Sequence, residues 1–80
     1  MDLGIVIVNY RTRELLRRCL ATVFASVGAT FRVCVVDNAS GDGSAELVAE
    51  AFPQVLLIAN ADNPGYPTAN NQGLRRLASK

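Results

Sequence analysis

The sequence predicts an α/β domain of Rossmann-like βαβαβα order built on a three-stranded parallel sheet. Three observations predict it. Apolar, β-branched runs alternate with segments of helical period; each run ends in a polar cluster; and glycine or proline stands at several of the boundaries between them. Alternation of this kind implies right-handed crossovers and parallel strands.

The first run, Leu3 to Val8 ("LGIVIV"), is continuous, as expected of a strand buried on both faces. A helix follows "NYRT", in which Leu15, Leu16, Cys19, Leu20, Val23, Phe24 and Val27 recur at helical spacing, with Arg13, Glu14, Arg17 and Arg18 largely opposite. Gly28 is placed to end that helix. The second strand is Phe31 to Val36, and it runs into "DNASGDGS". A short helix is expected from about Ser44 to Phe52, with Leu47, Val48, Ala51 and Phe52 as its apolar stripe and Pro53 at its end. Asp42 or Ser44 would cap it. The third strand, Val55 to Ala59, leads into the turn-rich "NADNPGYP". The last helix is expected over Thr68 to Ser79, with Pro67 in its first turn and Leu74, Leu77 and Ala78 facing inward.

Eighty residues allow one small domain, and a chain of this size buries only about 60% of the surface it exposes when unfolded. Hydrophobic residues make up 50% and charged residues 19%, which argues for a packed core and against disorder. The net charge of +1 gives no reason to expect nucleic acid or an anionic membrane as a partner. Bases are confined to Arg11–Arg32 and Arg75–Lys80, whereas 34–74 carries only acids. The absence of histidine excludes Cys/His zinc sites and any His-based triad within these residues. Cys19 and Cys34 both lie among apolar residues and read as reduced, buried thiols. The N-terminal segment has neither a cationic region nor the length to span a bilayer, so a cytoplasmic location is the expectation.

Parallel sheets bind ligands beyond the carboxyl ends of their strands. Three polar clusters fall there: Asn9-Tyr10-Arg11, Asp37-Asn38 and Asn60 to Asn63. A dinucleotide fold needs a glycine-rich loop after the first strand, and "VNYRTRE" has no glycine; a P-loop is absent too. The edge offers a carboxylate instead. A carboxylate only accepts hydrogen bonds, so Asp37 suits a partner presenting donors, such as ribose hydroxyls or the N3–H of uracil or thymine. Asn38 and Ser40 are placed to bond to the loop backbone and fix its shape. "NAS" at Asn38 is formally a glycosylation sequon, read here as coincidence.

"IVIVNYRTRELLRRCL", "VCVVDNASGDGSAELV" and "NPGYPTANNQG" together resemble the N-terminal region of family-2 glycosyltransferases, and most closely the rhamnosyltransferase-like branch. The resemblance covers nearly the whole chain. It implies the N-terminal part of a GT-A fold, residues 1–80 being the nucleotide-sugar-binding portion of an inverting transferase. The donor would be a UDP- or dTDP-linked sugar and the acceptor a polysaccharide or glycolipid of the cell envelope. It further implies that Val8, Asn9 and Tyr10 border the nucleoside, that Asp37 contacts the pyrimidine, and that Asn38 shapes the adjoining loop. Asn63 and Gly65 would open the next loop, with an unusual backbone angle at Gly65, and Asn71 would bond back to that loop or remain purely structural.

Pro67 replaces the small residue usual in the family, and Asn70 stands where many relatives carry arginine, a role Arg11 could fill. A divalent cation, Mg²⁺ or Mn²⁺, is expected for the complete enzyme. These residues contain no Asp-x-Asp pair to hold one and no catalytic base, so the isolated chain is expected to be inactive. In the complete enzyme the location would be the cytoplasm or the inner face of its membrane. The alternative is a non-catalytic nucleotide-binding or self-associating α/β module. The uncharged first strand makes a homo-oligomer the expected state of the isolated chain.

Overall fold

A computed structural model describes residues 3–25 and 31–79. The element order is β1 (Leu3–Asn9), α1 (Arg13–Ala25), β2 (Phe31–Asn38), α2 (Ser44–Ala51), β3 (Leu56–Asn60) and α3 (Tyr66–Ala78). The strands are parallel in the order β1-β2-β3, as the alternation predicts. Gly28, expected to end α1, and Val27 lie outside the described residues.

Strand residues alternate between the two faces of the sheet, and each face has its own core. On one side Val33 and Val35 of β2 meet Leu16 and Leu20 of α1, Val48 of α2 and Val55, with Ile5, Ile7 and Leu57 packed against them. Phe24 closes this side, with ring centroids 5.5 Å from Phe31 and 6.0 Å from Phe52. On the other side Cys34 and Val36 meet Ala69 of α3, bordered by Val8, Leu56, Ile58 and Leu77.

Three inward stripes differ from expectation. In α1 only Leu16 and Leu20 are buried and Val23 and Phe24 are half-buried, whereas Leu15 (65% exposed) and Cys19 face solvent. A helix on one face of a three-stranded sheet buries a narrow stripe, and the expected apolar arc is wider than that. Cys19 is therefore an exposed free thiol, and only Cys34 is buried, where desolvation raises its pKa. In α2 Val48 is buried but Ala51 is exposed.

The largest correction concerns α3, whose buried residues are Ala69 and Gly73, while Leu74 (52% exposed) and Ala78 point outward and Leu77 is half-buried. The reason is distance. A Cβ at residue 73 would stand 2.5 Å from Val6 Cγ1, so α3 approaches β1 and β2 more closely than any larger side chain allows. The helix also begins earlier than Thr68, with Pro67 in its first turn as expected.

Candidate functional site

β1 and β2 run further than the apolar pattern indicates, so the polar residues occupy the last strand positions rather than the loops beyond. The register pairs Asn9 with Asp37 and Asn38 with Asn60. Period-two alternation then sends Asn9 and Asp37 to the α1/α2 side and Asn38 and Asn60 to the α3 side. Two separate hydrogen-bond networks result.

The first network surrounds Asp37, which is 5% exposed. Its Oδ1 accepts from Asn9 Nδ2 (2.8 Å) and from Ser40 Oγ (2.6 Å), and its Oδ2 accepts from the Ser40 N–H at 3.3 Å. Asn9 is 2% exposed; it also donates to Ser40 Oγ (3.2 Å) and accepts from Thr12 Oγ1 (2.6 Å). Asn9 therefore supports Asp37 from inside the fold. Ser40 Oγ additionally accepts the Arg11 N–H at 2.8 Å. Oδ1 is saturated by two short bonds, whereas among the described residues Oδ2 takes only one long bond and keeps acceptor capacity.

Arg11 and Ala39 have φ of 56° and 57°, a left-handed conformation that costs a non-glycine residue about 1 kcal/mol. Both flank the Asp37 network. Tyr10 is half-exposed beside it, with the Arg11 guanidinium 5.1 Å from its ring centroid. Val8 is half-buried against the α3-side core.

The second network was less visible in sequence. Asn38 Oδ1 accepts from Asn60 Nδ2 (2.9 Å), which also donates to Gln72 Oε1 (2.9 Å), and Gln72 Nε2 returns a bond to Asn60 Oδ1 (3.2 Å). Asn38 thus braces the end of β3 and not its own loop; Ser40 does the loop-shaping. Gln72 of α3, not the exposed Asn71, makes the tie. The only sequence signal for Gln72 was its place directly before the close-packed Gly73. Burial of Asn38 also removes it from reach as a glycosylation acceptor.

Asn63 and Gly65 form a third, local unit. Asn63 Oδ1 accepts the Gly65 N–H at 2.9 Å, and Gly65 has φ 92° and ψ 164°, the expected unusual angle. No hydrogen bond among the described residues links this unit to Asp37. Asp42 plays a purely architectural part. Its Oδ1 accepts from Ser44 N–H (3.0 Å) and Oγ (2.5 Å) and its Oδ2 from Arg13 N–H (3.3 Å), joining the starts of α1 and α2. These bonds hold its pKa below the ordinary value.

Among the described residues no three His, Cys, Asp or Glu side chains gather as a metal site requires, and no helix is long and apolar enough to cross a membrane.

Residues 4–80 match the family model described as glycosyl transferase family 2. The chain is 32% identical over 75 residues to an N-acetylglucosaminyl-diphospho-decaprenol L-rhamnosyltransferase of Mycobacterium tuberculosis, covering 94% of this chain and 24% of that protein. It is 35% identical over 74 residues to the succinoglycan biosynthesis protein ExoO of Rhizobium meliloti, covering 91% of this chain and 21% of that one. Among solved structures it is similar to a mannosyltransferase of Pyrobaculum calidifontis, a complex with GDP-mannose and Mn²⁺. The TM-score is 0.82 at 26% identity, over 94% of this chain and 24% of the other. The chain thus spans about a quarter of the length of the relatives it matches.

Proposed function

This chain belongs to glycosyl transferase family 2, and from that premise we propose that it supplies the nucleoside-binding part of an enzyme moving a sugar from a nucleotide-diphosphate sugar to a carbohydrate or glycolipid acceptor. One observation carries the reading. A buried aspartate stands at the carboxyl edge of a parallel sheet, rigidly held through Oδ1 and left with capacity at Oδ2. That oxygen is free to accept a donor such as the N3–H of a pyrimidine, and in this reading the donor nucleotide is UDP or dTDP. Tyr10 flanks the base, and Val8, Asn38, Asn63 and Gly65 complete the surroundings of the nucleotide.

The lipid-linked acceptor of the rhamnosyltransferase relative supports a glycolipid acceptor here, and work at the cytoplasmic face of a membrane would follow. Transfer is inverting in this reading: an acceptor hydroxyl displaces the nucleoside diphosphate as a general base takes its proton. A divalent cation would stabilise the departing diphosphate. Neither group is assigned to these residues, so the 80 residues on their own transfer no sugar, with or without Mg²⁺ or Mn²⁺. Calorimetric titration of the full chain with UDP, dTDP and ADP tests the nucleotide assignment. Pyrimidine diphosphates bind and ADP does not; equal binding of ADP would sink it.

A second reading, self-association, is favoured by the sheet order. Among the described residues β1 bonds to β2 along one side only, and Leu3 to Val8 carries no charge and no proline to protect the other edge. Light scattering over a dilution series then reports a dimer or higher oligomer, and a monomer at high concentration would rule it out.

A further inference from the structure

We propose that Arg11 is the cation that meets the donor diphosphate, and that Ser40 is a positioning residue coupling it to the base-reading Asp37. This rests on the nucleotide reading above and extends it from the nucleoside to the phosphates.

Ser40 Oγ makes three bonds at once. It donates to Asp37 Oδ1 (2.6 Å) and accepts from Asn9 Nδ2 (3.2 Å) and from the Arg11 N–H (2.8 Å). A hydroxyl has one proton and two lone pairs, so all its capacity is used. The serine is 4% exposed and has no freedom to turn. The same atom that fixes the carboxylate therefore fixes the backbone of Arg11, which adopts φ 56°. A non-glycine residue keeps such a conformation only where its surroundings hold it, and such sites concentrate at ligand contacts.

Arg11 also has the chemistry. It is exposed at the strand edge, and among the described residues no carboxylate pairs with it, unlike Arg17 and Arg18, which share Glu14. Its guanidinium is held beside the Tyr10 ring, leaving its N–H fork to other acceptors. A base lying against Tyr10 with its donor on Asp37 would carry its phosphates within this neighbourhood. Phosphate oxygens match the guanidinium fork in a bidentate manner. Base recognition and phosphate recognition then share one fixed atom.

The test is titration of the full chain with UDP, dTDP and GDP, each beside its own nucleoside, followed by variants against the tightest diphosphate. Arg11→Ala is expected to weaken the diphosphate roughly tenfold, the effect of one charge-assisted hydrogen bond, and to leave the nucleoside unchanged. Ser40→Ala weakens both, and adding Arg11→Ala to it costs nothing further; Ser40→Thr, which keeps the hydroxyl, restores binding. If Ser40→Ala fails to melt cooperatively, Ser40→Cys carries the comparison, its weaker sulfur bonds shrinking the effect of Arg11→Ala. Arg75→Ala, at the far end of α3, leaves both affinities unchanged. Equal losses for nucleoside and diphosphate in Arg11→Ala, or no loss, overturn the role of Arg11. Additive losses in the double variant overturn the coupling through Ser40. If the wild-type chain binds none of the six compounds, the nucleotide reading itself falls and this proposal with it.

Discussion

The two faces of the sheet are held in different ways. On the α1/α2 side, leucine, valine and three phenylalanines fill a space between layers, and stability comes from apolar area removed from water. On the α3 side the buried residues are Cys34, Val36 and Ala69 with Gly73, and the helix gains contact by coming close. The first face tolerates changes of shape and suffers from loss of volume. The second does the reverse. The polar edge inherits this division, since Asp37 is held from the first side and Asn38 from the second.

The largest effect should come from emptying the thicker core. Leu20 is fully buried, and Leu20→Ala is expected to cost about 3 kcal/mol, enough to unfold much of a small domain at 25 °C. Urea denaturation measures it, and a loss under 1 kcal/mol would mean that this core is not the main source of stability. On the other face Gly73→Ala should cost about 2 kcal/mol through overpacking, despite the gain of up to about 1 kcal/mol in helix propensity. The clash is with Val6, so Val6→Ala in the same chain should recover part of the loss; no recovery would contradict the close approach.

A smaller effect is pH-dependent. The folded state holds the Asp42 carboxyl below its ordinary value of 3.8, chiefly through the Ser44 hydroxyl bond. Its contribution is therefore fully present above the unfolded-state pKa and disappears as pH falls through the lower folded value. Thermal melts from pH 5 to pH 2 should show this loss, with Asp42→Asn flattening its share of the slope. A steeper slope in Asp42→Asn would contradict the capping geometry. The smallest effect belongs to the outward leucines. Leu15→Lys and Leu74→Lys should each change stability by less than about 0.5 kcal/mol, and a loss above 2 kcal/mol would return them to the core.

Much of this was legible in the sequence. β-branched runs and helical spacing gave every element and its order, because each run is long enough for its period to show. The stripes of α1 and α3 were less legible. Periodicity marks which residues are apolar, but the width of the buried stripe depends on what the helix packs against. For α3 the inner face is marked by small residues, Ala69 and Gly73, which carry no apolar signal, while Leu74 carries one and points outward. At the site, Asp37 stood out because a carboxylate at the end of an apolar strand requires an explanation. Its partners did not. Asn9 reaches it through the β1–β2 register, and Gln72 meets Asn60 across twelve residues of chain; both pairings belong to the tertiary fold.

In the proposed function Asp37 reads the nucleoside through Oδ2, the less engaged of its two oxygens. Backbone amide resonances recorded while UDP or dTDP is added to the full chain test it most directly, with Asp37→Asn alongside. That variant keeps an acceptor for Asn9 Nδ2 and the Ser40 hydroxyl but presents an NH₂ group where Oδ2 stood, which also gives up the long bond from the Ser40 N–H. Shifts concentrated at Asn9, Tyr10, Asp37, Asn38 and Ser40 are expected in the wild type, with their loss in Asp37→Asn. Shifts gathered instead at the Arg75–Ala78 end of α3, or surviving unchanged in Asp37→Asn, would contradict it.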